Sequence, residues 1–221
     1  MKTPPTPASV RLQRGFTLIE ISIVLAIIGA IFYSILKSQA ILSDARAKDV
    51  IAKINDLRTA TSYFKQRYGY LPGDLPNPAG YITVVPALVA GTGGNIGNGS
   101  IDGVVSAAGV ATAGTKAAQA PWQLYNAGFI GAVDSGNPTH YLNTTYGPIQ
   151  LVSSATATTL VAGFAANNRA ARNAILFFNL PCDVATEVDT RLDDGKTTTG
   201  SAQGSAACTG TNVLPVYAVP L

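Results

Sequence analysis

The sequence predicts an α+β chain: a long N-terminal helix, apolar in its first half, leading into an exported globular domain that mixes short helices with strands. Three observations lead there. Phe16 to Leu36 reads FTLIEISIVLAIIGAIFYSIL with one charge, Glu20. From Lys37 to Tyr68 the apolar residues recur on one helical face, and neither Pro nor Gly interrupts from Ala30 to Tyr68. Beyond Gly69, short apolar and aromatic runs alternate with turn residues.

The 221 residues are 47% hydrophobic and only 12% charged, with a net charge of +3. A typical soluble domain carries about 25% charged residues. A strongly basic nucleic-acid binder and an acidic disordered chain are both excluded. The charge is also unevenly placed. Lys2, Arg11 and Arg14 precede residue 16 with no acid among them, and residues 37–68 carry seven bases against three acids. Residues 69–221 carry five bases against eight acids. The basic helix and the acidic domain that follows it are electrostatically complementary, an attraction that salt weakens.

As a helix the 21 residues from Phe16 to Leu36 extend about 31 Å, enough for a hydrocarbon core of about 30 Å. The basic residues just before them predict a cytoplasmic N-terminus and export of everything after Lys37. A secretory signal has its cleavage site after the apolar run. Here the polar stretch MKTPPTPASVRLQRG comes first and ends in Gly15, so residues 1–15 are the expected cleavable leader and the helix stays. Glu20 needs a reason, because an ionised carboxylate costs about 2.5 to 3.5 kcal/mol inside a bilayer on insertion scales. Its partner must be a cation or a proton. Cleavage after Gly15 frees an α-amine on Phe16, about 6 Å of helix rise before Glu20. Parallel helices offset by about one turn bring the amine of one chain to the carboxylate of the next. Snorkelling or protonation is the plainer alternative.

Arg14-Gly15-Phe16-Thr17-Leu18-Ile19-Glu20 followed by an apolar helix resembles the leader and N-terminal motif of the type IV pilin superfamily, which includes type IV pilins and the pseudopilins of type II secretion. The resemblance implies a pilin-like fold, with the helix packed against a C-terminal antiparallel-sheet domain. It also implies a prepilin peptidase that cuts between Gly15 and Phe16 and methylates the Phe16 amine, and an assembly role for Glu20. The implied partners are copies of the chain and other pilins or pseudopilins in a helical filament, the prepilin peptidase, an inner-membrane assembly platform and membrane lipid, with no nucleic acid. The implied location is the bacterial inner membrane, single-pass, with a periplasmic C-terminal domain that becomes part of a filament. Many family members carry a proline near the end of the membrane segment. This chain has none between Pro7 and Pro72, which predicts a straighter helix.

In residues 37–68, Ala40, Ala47, Ile54, Thr61 and Tyr68 recur every seven positions with Ser43, Val50, Leu57 and Phe64 between them. This predicts an amphipathic continuation of the helix that packs on the exported domain, residues 69–221. A coiled-coil dimer is the alternative, weakened by Ala, Ser and Thr in the seam. Gly69 and the Leu71-Pro72-Gly73 breaker end the helix, and this phrase looks like the post-helix segment of pseudopilin-like sequences.

GTGGNIGNGSIDG lacks the Lys-Ser or Lys-Thr of a phosphate loop and reads as a surface loop. Asp102 with Asn95 and Asn98 is a calcium candidate with too few carboxylates. Pro121 to Ile130 predicts a short amphipathic helix closed by Gly128, with Trp122, Leu124, Tyr125 and Phe129 as core or interface anchors. Strands are expected near 141–146, 149–153 and 158–164, and residues 167–180 as a helix or a helix-to-strand passage with 174–178 buried. Cys182 and Cys208, in an exported domain, read as one disulfide that closes a polar loop from Asp183 to Ala207. That loop resembles the disulfide-bounded C-terminal loop of many type IV pilins. Asp189, Asp193 and Asp194 within it are a second calcium candidate, since major pseudopilins are known for a C-terminal calcium site, with a solvated turn as the favoured reading. No other cofactor is implied.

An enzyme is not expected. His140 is the only histidine, and no nucleophile–base set is recognisable. Asn98 and Asn143 each begin a glycosylation sequon. The sequence therefore points to a filament subunit of a type IV pilus or a type II secretion pseudopilus. The alternative is a membrane-anchored exported binding domain, of adhesin or minor-pilin type. The disulfide loop leans towards a pilin and the short post-helix breaker towards a pseudopilin.

Overall fold

The structure is a computed structural model that describes residues 15–84, 86–134, 142–210 and 212–221. The leader up to Arg14, His140 and Tyr141 lie outside the described residues. The chain divides after Leu42 into two compact units.

The first unit is the beginning of helix α1, which spans Leu18–Tyr68. Its stretch Leu18–Ile35 is long and apolar enough to cross a membrane and is wholly unburied. A row of isoleucines, leucines and aromatic rings lies open around the helix, which is the pattern of a segment solvated by lipid or by like helices. Two hydroxyls inside the run are satisfied locally: Ser22 donates to the Ile19 carbonyl at 2.8 Å and Ser34 to the Ala30 carbonyl at 2.9 Å.

The second unit, Ser43–Leu221, contains the rest of α1 and the globular domain. Ala47, Val50, Ile54, Leu57, Thr61 and Phe64 are all buried, as the seven-residue spacing predicts, and Tyr68 is half-buried. The same spacing brought them into the domain core rather than into a coiled-coil seam. Arg58 reaches across from this helix, and its Nη2 donates to the Pro220 carbonyl at 2.6 Å. Gly69 ends the helix at φ 79°, a backbone conformation that favours glycine.

After α2 (Pro78–Tyr81) and the glycine-rich loop comes α3, Lys116–Asn126. It starts five residues before the predicted Pro121 because Thr115 caps it, accepting from the Ala118 amide. Leu124 is fully buried, while Trp122 is half-buried and stacks on the more exposed Tyr125 at 5.7 Å. The sheet is antiparallel throughout, in the order β1-β2-β3-β5-β4. Its strands are β1 (Leu142–Asn143), β2 (Pro148–Ser153), β3 (Asn173–Pro181), β4 (Gln203–Gly204) and β5 (Val213–Pro220). Ala174 to Phe178 are buried on both faces, so β3 is a central strand covered on both sides.

Three expectations are corrected. The first predicted strand, 141–146, shrinks to the two residues of β1. Thr144 turns the chain there: its amide and its hydroxyl both donate to the Gly147 carbonyl. The segment 158–164 is not a strand. It runs from the end of α4 (Ser154–Leu160) through a turn into the first residue of α5 (Phe164–Asn167), and the Ser153 hydroxyl caps α4 by accepting from the Thr156 amide, which overrides the β-preference of the threonines. The polar stretch after Cys182 begins as a helix, α6 (Cys182–Leu192), whose Val184, Ala185 and Val188 are buried. Their spacing of one and three residues is helical, and the surrounding polar residues masked it.

Candidate functional site

Three places hold the residues singled out above. The first is the start of α1. Phe16 is 84% exposed, and a Cβ built on Gly15 would meet nothing within 4 Å, so the bond between them is open to approach. Thr17 and Glu20 then close on each other. The Thr17 amide and hydroxyl both donate to Glu20 Oε2 at 2.9 Å, and the Glu20 amide donates to Thr17 Oγ1 at 3.2 Å. This is a capping box, in which a Thr and a Glu three residues apart satisfy each other's backbone amide at a helix N-terminus. The sequence reading missed Thr17, although Thr-x-x-Glu ahead of an apolar run is its signature.

The second place is the glycine-rich loop. Asn95, Asn98 and Asp102 do converge, and the cation they enclose is the ammonium of Lys116.

The third is the end of α6 with the loop it enters. Cys182 and Cys208 form the expected disulfide across 26 positions. Ser43 donates to Asp183 at 2.9 Å, and Arg191 bridges Asp44 and Glu187, tying α6 to the part of α1 that belongs to the second unit. The Asp44 carboxyl is held below its ordinary range, first by its hydrogen bond from Lys48 and further by the charges of Lys48 and Arg191. Asp193 Oδ2 accepts from the amides of Ser201 and Ala202. Asp194 accepts from the Lys196 amide at 2.9 Å and the Thr199 hydroxyl at 2.5 Å, and these bonds lower its pKa, the Thr199 bond most. Asp189 is fully buried, accepts from the Tyr217 hydroxyl at 2.8 Å through Oδ1, and leaves Oδ2 without a partner. Burial, with the charges of Asp194 and Asp193, pushes its pKa up to about 6 against the bond from Tyr217. The Asp189, Asp193 and Asp194 set is thus divided between turn-capping and burial. Among the described residues no group of three or more His, Cys, Asp or Glu side chains is placed to hold a metal ion.

A hollow of about 460 Å³ lies between α1 and the β1–β2 edge, lined by Leu57, Ala60, Tyr63, Phe129 and Ile130, with Lys53 and Asp56 as its charged lining residues among those described.

Residues 10–32 match the family model described as the prokaryotic N-terminal methylation motif. The chain carries a prepilin-type terminus. With the apolar helix that follows, it fits the type IV pilin-like family, a structural and generally non-enzymatic class. Assembly with other pilins and processing by a prepilin peptidase are general properties of proteins bearing this motif, and a membrane-anchored pilin fits both motif and helix. No curated protein and no solved structure matches the chain.

Proposed function

We propose that this pilin-like chain is a structural subunit of a type IV pilus or a type II secretion pseudopilus. It is stored in the bacterial inner membrane with its N-terminus in the cytoplasm and the domain after Lys37 in the periplasm. A prepilin peptidase cuts between Gly15 and Phe16 and methylates the Phe16 amine, and an inner-membrane platform then moves the helix from lipid into a filament. The observation that carries the reading is the methylation motif joined directly to an apolar helix that leaves every side chain from Leu18 to Ile35 unburied. Such a surface needs either lipid or neighbouring helices.

The capping box adds a mechanism. In the stored subunit Thr17 donates twice to Glu20 Oε2, which offsets part of the cost of a carboxylate near the membrane. Oε1 is left to accept the Phe16 amine of a neighbour, so register is set without dismantling the helix start. An uncut leader offers no such amine.

The test is the mature N-terminus together with Glu20→Leu and Glu20→Gln. Mass spectrometry of the membrane-extracted chain is expected to find N-methylated Phe16 as the first residue. Both variants are expected to be processed and inserted yet to fail in filament assembly. A chain still beginning at Met1, or Glu20→Leu subunits assembling at the wild-type level, would overturn the proposal. The second outcome would favour an anchored binding domain.

A further inference from the structure

The glycine-rich loop encloses a charge that the filament role does not use. Lys116, the first residue of α3, is 0% exposed. Its Nζ lies 2.7 Å from Asp74 Oδ1, 2.7 Å from the Asn95 carbonyl, 3.1 Å from Asn98 Oδ1, 3.2 Å from the Ser100 carbonyl and 3.3 Å from Asp102 Oδ2. An ammonium has three protons to donate, yet five oxygens surround this one. Two of them belong to carboxylates, so one positive charge faces two negative ones.

The loop is built to aim these oxygens inward. Asn98, Ser100 and Asp102 alternate along the chain and offer a side-chain oxygen, a main-chain carbonyl and a side-chain oxygen in turn. Asp74 is fixed from behind, its two oxygens accepting from the Gly97 and Gly99 amides at 2.8 Å each. Those glycines have φ of 80° and 77°, a backbone conformation that favours glycine and that aims their amides at Asp74. Mixed carboxylate, amide and carbonyl oxygens on a tight glycine-rich loop are the donor set of a hard cation.

We infer that the loop 95–102 and Asp74 form a hard-cation cage of the calcium class, and that this chain fills it with the ammonium of its own Lys116. The cage in the wild-type chain takes no metal, and this part of the domain folds independently of ambient calcium. Removing the ammonium converts the cage into a calcium site. Calcium accepts 6 to 8 oxygens at about 2.3 to 2.6 Å. The five present have to close in by roughly half an ångström, and water can enter the space left by the lysine stem, past the partly exposed Asp102. Its double charge neutralises both carboxylates. Magnesium, with its strict octahedron at about 2.0 to 2.1 Å, requires a larger contraction.

The test uses the full chain in detergent with its disulfide intact, as wild type, Lys116→Ala and Lys116→Met. Alanine empties the cage, and methionine plugs it with an uncharged chain of similar length. Calorimetric calcium titration is expected to show one site in Lys116→Ala beyond anything the wild type binds, with half-saturation between about 10 µM and 1 mM. The unfolding midpoint of Lys116→Ala, read from Trp122 fluorescence, is expected to rise with calcium, to rise less with magnesium, and not to respond to sodium chloride of equal ionic strength. The wild type and Lys116→Met are expected to show no such rise. A Lys116→Ala chain that gains no calcium site, that stays unfolded in about 5 mM calcium, or that responds no differently from Lys116→Met would overturn the inference.

Discussion

Replacing Asp189 by Asn is expected to stabilise the domain at neutral pH and to remove part of its pH dependence. Asp189 is fully buried beneath β5, one carboxyl oxygen holding the Tyr217 hydroxyl and the other without a partner. Burial first, and then the neighbouring Asp194 and Asp193 charges, raise its pKa from 3.8 to about 6. Between those values the folded chain binds more protons than the unfolded one, so stability falls as pH rises from about 4 to about 6 and stays at the lower level above. A shift of that size corresponds to at most about 3 kcal/mol of stability lost across the window. Asn keeps the acceptor for Tyr217, carries no charge, and presents an amide towards the Asp194 carboxylate. The variant is therefore expected to match the wild type near pH 4 and to exceed it by about 2 to 3 kcal/mol at pH 7.5, roughly 4 to 12 °C in unfolding midpoint. The assay is denaturant unfolding of both chains in detergent at half-unit pH steps, taking the difference between them so that other carboxylates cancel. Parallel profiles, or an Asn variant less stable than the wild type at pH 7.5, would refute the argument.

Replacing both Cys182 and Cys208 by Ser is expected to cost about 3.5 kcal/mol in the chain-entropy model for a loop closed across 26 positions, and reduction of the wild type should cost the same; a loss below about 1 kcal/mol would contradict it. Gly73→Ala is expected to be far more damaging than Gly69→Ala. Both glycines have positive φ, but a Cβ at 73 would sit 2.2 Å from the Lys116 carbonyl oxygen, whereas at 69 it meets nothing within 4 Å. Unfolding midpoints should give about 1 kcal/mol for Gly69→Ala and upwards of 2 kcal/mol for Gly73→Ala, and equal losses would show that contact to be unimportant.

How legible each part was in the sequence depended on how local its cause is. The apolar run, the seven-residue spacing to Tyr68 and the stop at Gly69 depend on neighbours a few positions away, and α1 follows them. The Thr17 and Glu20 pairing is equally local, two side chains three positions apart that close on each other at the helix start. Helices α4 and α6 were obscured because the intrinsic preference of a threonine run and the polarity of Asp183 to Asp194 opposed the answer. Tertiary burial of Val184, Ala185 and Val188 decided it. The Asn95, Asn98 and Asp102 group was visible as oxygen donors. Its cation, Lys116, stands 14 positions beyond Asp102 at the start of another helix, a pairing that only the folded chain brings about.

The position of β5 has a consequence for how the domain comes into being. Residues 213–220 lie in the interior of the sheet between β3 and β4, and Arg58 and Asn173 hold their far end through the Pro220 carbonyl and the Leu221 amide. In the proposed orientation these residues cross the membrane after the strands they pair with, β3 and β4. The two cysteines emerge before them, so oxidation can close its loop while the centre of the sheet is still vacant. Folding then waits on one strand whose β3 partners lie 32 to 46 positions earlier, from Pro181 with Val213 to Ala174 with Pro220, and whose Pro220 carbonyl meets Arg58 from 162 positions earlier. Closing contacts of such high sequence separation is slow, and in that orientation the sheet stays open to periplasmic helpers until β5 has crossed.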